Sequence, residues 1–146
     1  MRHLASTEWQ NFLDDSLASL IRQNALPYNL VTPSRLPSKG GVYLVCEQTE
    51  QEEIALYVGK SANLSERIYR NHLMGNIKSS NLKRYLIADN SRPEIVDAVS
   101  AKLFLSQSCT VRWILQQHER KRGVVECFCI AKLYPTYGVC EDEEQA

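Results

Sequence analysis

Two short runs decide the fold: Gly41-Val42-Tyr43-Leu44-Val45-Cys46, and then Ile54-Ala55-Leu56-Tyr57-Val58-Gly59-Lys60. Both are β-branched and aromatic, and the polar, acidic stretch between them (47–53) has the character of a connection. This pattern predicts a hairpin of two strands. Gly59 ends the second strand, and Lys60 to Leu73 follows as a polar helix with Leu64, Ile68 and Leu73 on its inner side. A strand, a tight turn and a basic helix follow one another directly.

Outward from this hairpin the chain alternates helical and extended signals. Asn81 to Ala88 predicts a helical turn, and Pro93 at a first helical position with Ile95, Val96 and Val99 predicts another helix. Thr110 to Leu115 partly alternates and reads as a third strand. Glu119 to Leu133 reads as a helix ended by Tyr134-Pro135. On the N-terminal side, Trp9, Phe12, Leu13, Leu17, Leu20 and Ile21 form one stripe of a helix over 7–22, with Thr7 and Gln10 as a capping box. Pro27, Pro33, Pro37 and Gly40-Gly41 make the next segment a connector. The expectation is an α+β domain with a small three-stranded antiparallel sheet flanked by helices and an extra N-terminal helix. Residues 1–37 form the helix and connector, 38–139 the main domain, and 140–146 an acidic tail.

The chain has 146 residues and 44% hydrophobic residues, enough for one core without staples. No apolar run approaches the roughly 20 residues that span a bilayer, and the first residues lack a signal peptide's apolar stretch, so a soluble intracellular protein without membrane contact is expected. The five cysteines, Cys46, Cys109, Cys127, Cys129 and Cys140, read as reduced core thiols. Lys+Arg and Asp+Glu balance at 17 each, which argues against a binder of polyanions by bulk attraction. The charges are segregated, however. Between Lys60 and Arg84 there are six positive residues and one acid, whereas Glu47 to Glu53 and Glu141 to Glu144 collect acids.

The usual phosphate-loop, dinucleotide, zinc-protease and serine-elbow patterns are missing. What remains is sparser: Gly41-Val42-Tyr43, Tyr57-Val58-Gly59-Lys60, Asn63-Leu64-x-x-Arg67, His72, and Glu126 twelve residues before Gly138 in a helix that runs into Pro135-Thr136-Tyr137. In order and gaps, residues 38–139 resemble the GIY-YIG nuclease superfamily, which includes the incision subunit of bacterial excision repair, homing endonucleases and some restriction enzymes. Two positions depart from its pattern. Gly138 stands where an asparagine usually follows Pro-x-Tyr, and His72 falls five residues after Arg67 where four is common.

The resemblance implies metal-dependent hydrolysis of DNA phosphodiester bonds. Glu126 would hold one divalent cation, Mg²⁺ or Mn²⁺, which favours carboxylate oxygen and retains water where the protein offers few ligands. Arg67 would fork onto phosphate oxygens. Tyr43 would take the attacking water's proton, helped by Lys60 as the nearest cation in sequence, and Tyr57 would contact phosphate or a water. His72 would bind phosphate or protonate the leaving group, and Gly59 would keep the turn clear for the phosphate. Arg70, Lys78, Lys83 and Arg84 would steer the polyanion. Two alternatives stand: a weakened member of the fold that binds nucleic acid or a protein partner, and a nuclease directed at RNA. Nothing in the chain resembles an added specificity domain, so specificity would come from loops, the N-terminal helix or a protein partner.

Overall fold

A computed structural model describes residues 6–139. Among the described residues four α-helices, α1 (Thr7–Arg22), α2 (Asn81–Ala88), α3 (Ala98–Ser108) and α4 (Glu119–Leu133), and a π-helix (Glu66–Leu73) flank an antiparallel sheet. Its strands, β1 (Leu26–Pro27), β2 (Gly41–Gln48), β3 (Glu53–Ser61) and β4 (Cys109–Leu115), lie in the order β1-β4-β2-β3. The α+β class and the central hairpin are therefore as the sequence predicts. The sheet has four strands rather than three, because Leu26 and Pro27 of the connector pair with Val111 and Thr110. Proline is tolerated there because β1 is an edge strand and needs no second set of ladder bonds.

Three boundaries move for local reasons. Ser6, not Thr7, caps α1, its hydroxyl accepting the Trp9 N–H at 3.4 Å. β3 runs on through Lys60 and Ser61, which pair with Val42 and Gly41, so the expected helix from Lys60 begins only beyond Asn63. The expected helix at Pro93 begins at Ala98, where Asp97 and Ser100 exchange the reciprocal bonds of a capping box.

The strand pleat sends alternate residues to two cores. Val42, Leu44, Cys46 and Val58 pack with Leu13 and Leu20 of α1 and Val125 and Cys129 of α4. Tyr43, Val45 and Tyr57 pack on the other face with Tyr28, Ile68, Leu82 and Leu105. A bulge opposite Val45 lets Leu56 join Tyr57 on that second face. Cys46, Cys109 and Cys129 are buried free thiols and Cys127 is exposed; Cys140 and the acidic tail lie outside the described residues.

After α4 the chain turns at Tyr134, whose backbone is left-handed (φ 47°). It then runs along the open edge of β3, where Thr136 and Tyr137 donate their N–H groups to Ala55 and Leu56 carbonyls at 3.0 and 2.9 Å. Among the described residues no helix is long and apolar enough to cross a membrane.

Candidate active site

Tyr43 and Gly59 face one another across the β2–β3 ladder. The Tyr43 ring lies over Gly59 so closely that any Cβ there would collide with its Cζ and Oη. Glycine at this position thus makes room for Tyr43 itself, rather than for an incoming phosphate as the sequence suggested. The tyrosine is sealed from solvent, at 0% exposure.

Its hydroxyl meets His72 Nε2 at 2.5 Å, and His72 Nδ1 meets Ser80 Oγ at 2.7 Å. Ser80 also caps α2 by accepting the Lys83 N–H at 3.0 Å. His72 is likewise sealed, and burial, followed by the Arg67 and Lys83 charges, pushes its pKa down to about 3. With no exposed edge and both nitrogens engaged, His72 cannot touch a phosphate or a leaving group as expected. It positions Tyr43. The five-residue spacing from Arg67 is explained by the helix that carries both: Met74 donates to Tyr69 O at 2.9 Å, an i→i−5 bond, so five residues close one turn.

Arg67 is half-buried, anchored by its Nη1 on Ser79 O at 3.2 Å, and its guanidinium charge acts on both Tyr43 and Tyr57. Burial raises the pKa of Tyr43 well above the ordinary tyrosine value, the nearby Tyr57 adds to this, and Arg67 pulls the other way. Tyr57 is raised by burial too, opposed by Arg67 and Asn81, with the Glu126 carboxylate adding to the rise. The two phenol rings lie 6.2 Å apart.

Glu126 is on α4, which packs on the opposite face of the sheet, yet its charge is felt at Tyr57 because β3 is the edge strand. Burial raises its pKa, and Lys60 opposes that rise. The charge that acts on its carboxylate is that of Lys60. Lys60 is exposed beside α4, its Nζ 3.5 Å from where a Cβ on Gly123 would stand. It therefore serves the Glu126 side, and the expected cation on Tyr43 is Arg67 instead. The structure brings Tyr43, Tyr57, Arg67 and His72 into one cluster on one face, with Glu126 and Lys60 around the edge.

Solved structures similar to this chain can be set beside that geometry. The N-terminal GIY-YIG endonuclease domain of UvrC from Thermotoga maritima, as a point mutant bound to its catalytic divalent cation, is 20% identical over 71% of this chain and 88% of that one, with a TM-score of 0.44. The same domain bound to magnesium is 21% identical over the same shares, with a TM-score of 0.38. No protein-family model matches the chain, and no curated protein does.

The basic segment divides once it is folded. Arg70 is exposed and paired with Glu66 at 3.3 Å, and Lys78 is exposed. Arg84 is exposed, with its guanidinium on Ile77 O and Asn81 Oδ1. Lys83 is a different case. It is 1% exposed, and its ammonium donates to Leu73 O at 2.7 Å and Gly75 O at 2.5 Å. It ties the end of the π-helix to α2 and cannot steer a polyanion as expected.

Gly138, with φ of 80°, sits against the Tyr57 ring, a Cβ there lying 3.1 Å from Cε1. Sequence reasoning missed Ser80, Tyr85, Asp89 and Arg92. A serine just before a helix is a capping signal that could have pointed to Ser80. Arg92 reaches Tyr137 Oη at 2.8 Å and Glu47 at 2.8 Å over a separation of 45 residues, which leaves no local sequence signal.

Proposed function

We propose that the protein is a metal-dependent endonuclease that hydrolyses phosphodiester bonds in nucleic acid, with DNA as the preferred polymer. One observation carries this reading: a half-buried arginine acts on two tyrosines, one of which also feels the half-buried Glu126 carboxylate. A half-buried carboxylate beside the phosphate-facing cluster, opposed by the exposed Lys60 alone, is eased by a hard cation, so Glu126 fits a divalent ion such as Mg²⁺ or Mn²⁺. No group of three or more His, Cys, Asp or Glu gathers among the described residues. Such an ion would keep most of its waters, and when bound would supply charge stabilisation at the scissile phosphate.

The chain's own groups do the rest. A phosphate anion draws the Arg67 guanidinium away from the tyrosine hydroxyls and takes its planar donors. That movement opens Tyr43. With the His72 proton on Nδ1 toward Ser80, Nε2 accepts from Tyr43, whose oxygen then presents its lone pairs to a water. The Tyr43 oxygen draws on the water's proton, which leaves to solvent through the opened site, while His72, held neutral by burial with a pKa of about 3, keeps the Tyr43 hydroxyl turned toward itself and is not the proton's acceptor. Tyr57 and Lys60 flank the phosphate and the Glu126 carboxylate. The buried free thiols suit a reducing, intracellular setting, and specificity falls to a protein partner or to loops.

Replacing Glu126 with Gln removes the ligand charge without adding bulk, so Glu126→Gln loses cleavage in Mg²⁺ and Mn²⁺ while keeping its fold and its nucleic-acid binding. Labelled DNA and RNA of several structures, each with metal and with chelator, is the assay. Wild-type cleavage by Glu126→Gln, or cleavage by the wild type in chelator, refutes the reading. A second reading, a binding module without activity, is favoured by Gly138, which offers no side-chain amide; binding without cleavage by the wild type decides for it.

A further inference from the structure

We propose that the cleft beside Tyr57 receives an unpaired nucleobase next to the bond that is cut, so that the substrate is a strand with at least one unstacked nucleotide. This rests on the nuclease reading of the adjacent site. The cleft has a volume of ≈ 660 Å³ and lies between α2 and the segment after α4, with Tyr85, Asp89, Tyr134, Tyr137 and Gly138 in its wall. That is within the range of small-ligand sites. It is continuous with the catalytic cluster, because Gly138 touches both the cleft and the Tyr57 ring.

Three features name the occupant. The rings of Tyr43, Tyr57, Tyr85 and Tyr137 follow one another at 6.2, 6.1 and 6.0 Å, and the last two are parallel to within 7°. Tyr137 is fixed in that stack by its hydroxyl, which donates to Asp89 at 2.6 Å and accepts from Arg92 at 2.8 Å. At the rim, Tyr134 is held 80% exposed in a left-handed backbone, an arrangement that core packing does not explain. Among the described residues the wall contains no lysine or arginine, and its Asp89 carboxylate is paired with Arg92 at 3.6 Å. The wall thus offers a phosphate no cation of its own, whereas a neutral planar ring that stacks on phenols is welcome. A base inside a continuous duplex has both faces covered and cannot stack on tyrosine without leaving the helix.

The test uses the full chain in chelator, so that cleavage plays no part and a failure of the nuclease reading is seen separately in the Glu126→Gln assay. The probes are single-stranded oligodeoxythymidylate and an abasic deoxyribose-phosphate oligomer of equal length and charge. The wild type binds the thymidylate about tenfold more tightly. Tyr134→Asn, which keeps a residue tolerant of the left-handed backbone, loses most of that preference, whereas Tyr134→Phe retains it. Equal affinity of the wild type for both probes overturns the proposal without any variant, and so does a full preference in Tyr134→Asn.

Discussion

Arg67 and His72 lie five residues apart and one turn apart, and both act on the Tyr43 hydroxyl, one as a charge and the other as a 2.5 Å partner. In an α-helix a five-residue step would rotate the second side chain well past the first. The π-helical turn absorbs the extra residue and brings both side chains to the same tyrosine.

The burial of His72 makes stability depend on pH in a defined window. Its folded pKa, about 3, is below its ordinary 6.5. The unfolded chain therefore binds the proton first, and the stability present above pH 6.5 is lost as pH falls from 6.5 toward 3. The slope from this group approaches about 1.4 kcal/mol per pH unit. Chemical denaturation at pH 7.0, 6.0 and 5.0 measures it. A flat profile over that range, before the carboxylates titrate, contradicts the burial of a neutral His72.

The packing of Tyr43 on Gly59 separates stability from chemistry. Gly59→Ala forces the Tyr43 ring aside and costs roughly 1–3 kcal/mol, with cleavage lost in step. Tyr43→Phe keeps the ring but strands His72 Nε2, at about 1–3 kcal/mol for an unpaired buried group. Its single-turnover rate falls by roughly two to four decades if Tyr43 is the base. A Tyr43→Phe rate within threefold of wild type removes Tyr43 from the chemistry and leaves it as packing.

Within the basic segment, Lys83 parts from its neighbours. Lys83→Met leaves Leu73 O and Gly75 O without their donor, which costs on the order of 1–3 kcal/mol in thermal or chemical unfolding and leaves the salt slope of binding unchanged. Lys78→Ala and Arg84→Ala leave stability nearly unchanged, and each lowers the salt slope by about one phosphate contact. Equal behaviour of all three variants contradicts this division.

The hairpin, the helices and the grouping of Tyr43, Tyr57 and Arg67 were legible because strand periodicity and a helix that starts just beyond β3 are local properties. Three things were not. β1 is two residues long and contains a proline, so pairing with β4, and not propensity, makes it a strand. Lys83 looks like a surface charge until α2 packs on the π-helix and buries its stem. The cleft tyrosines come from α2 and from the chain after α4, and only the tertiary fold stacks them.

Gly138 brings the sequence departure and the structure together. It is not a loose end, since Thr136 and Tyr137 are bonded to β3 just before it and its φ of 80° suits glycine. Asparagine tolerates that region better than other residues with a Cβ, but its Cβ would press on Tyr57 at 3.1 Å from Cε1, so the ring must yield by a few tenths of an ångström. Alanine imposes the same crowding and more backbone strain, without an amide. Gly138→Asn is therefore expected to lose about 1 kcal/mol of stability or less, and Gly138→Ala about as much or more. If the missing amide limits the rate, Gly138→Asn cleaves up to one or two decades faster than the wild type in single turnover, the worth of a supporting hydrogen bond of about 1–3 kcal/mol, and Gly138→Ala does not. A loss of rate in both variants means that Tyr57 cannot be displaced and that glycine is required at this bend.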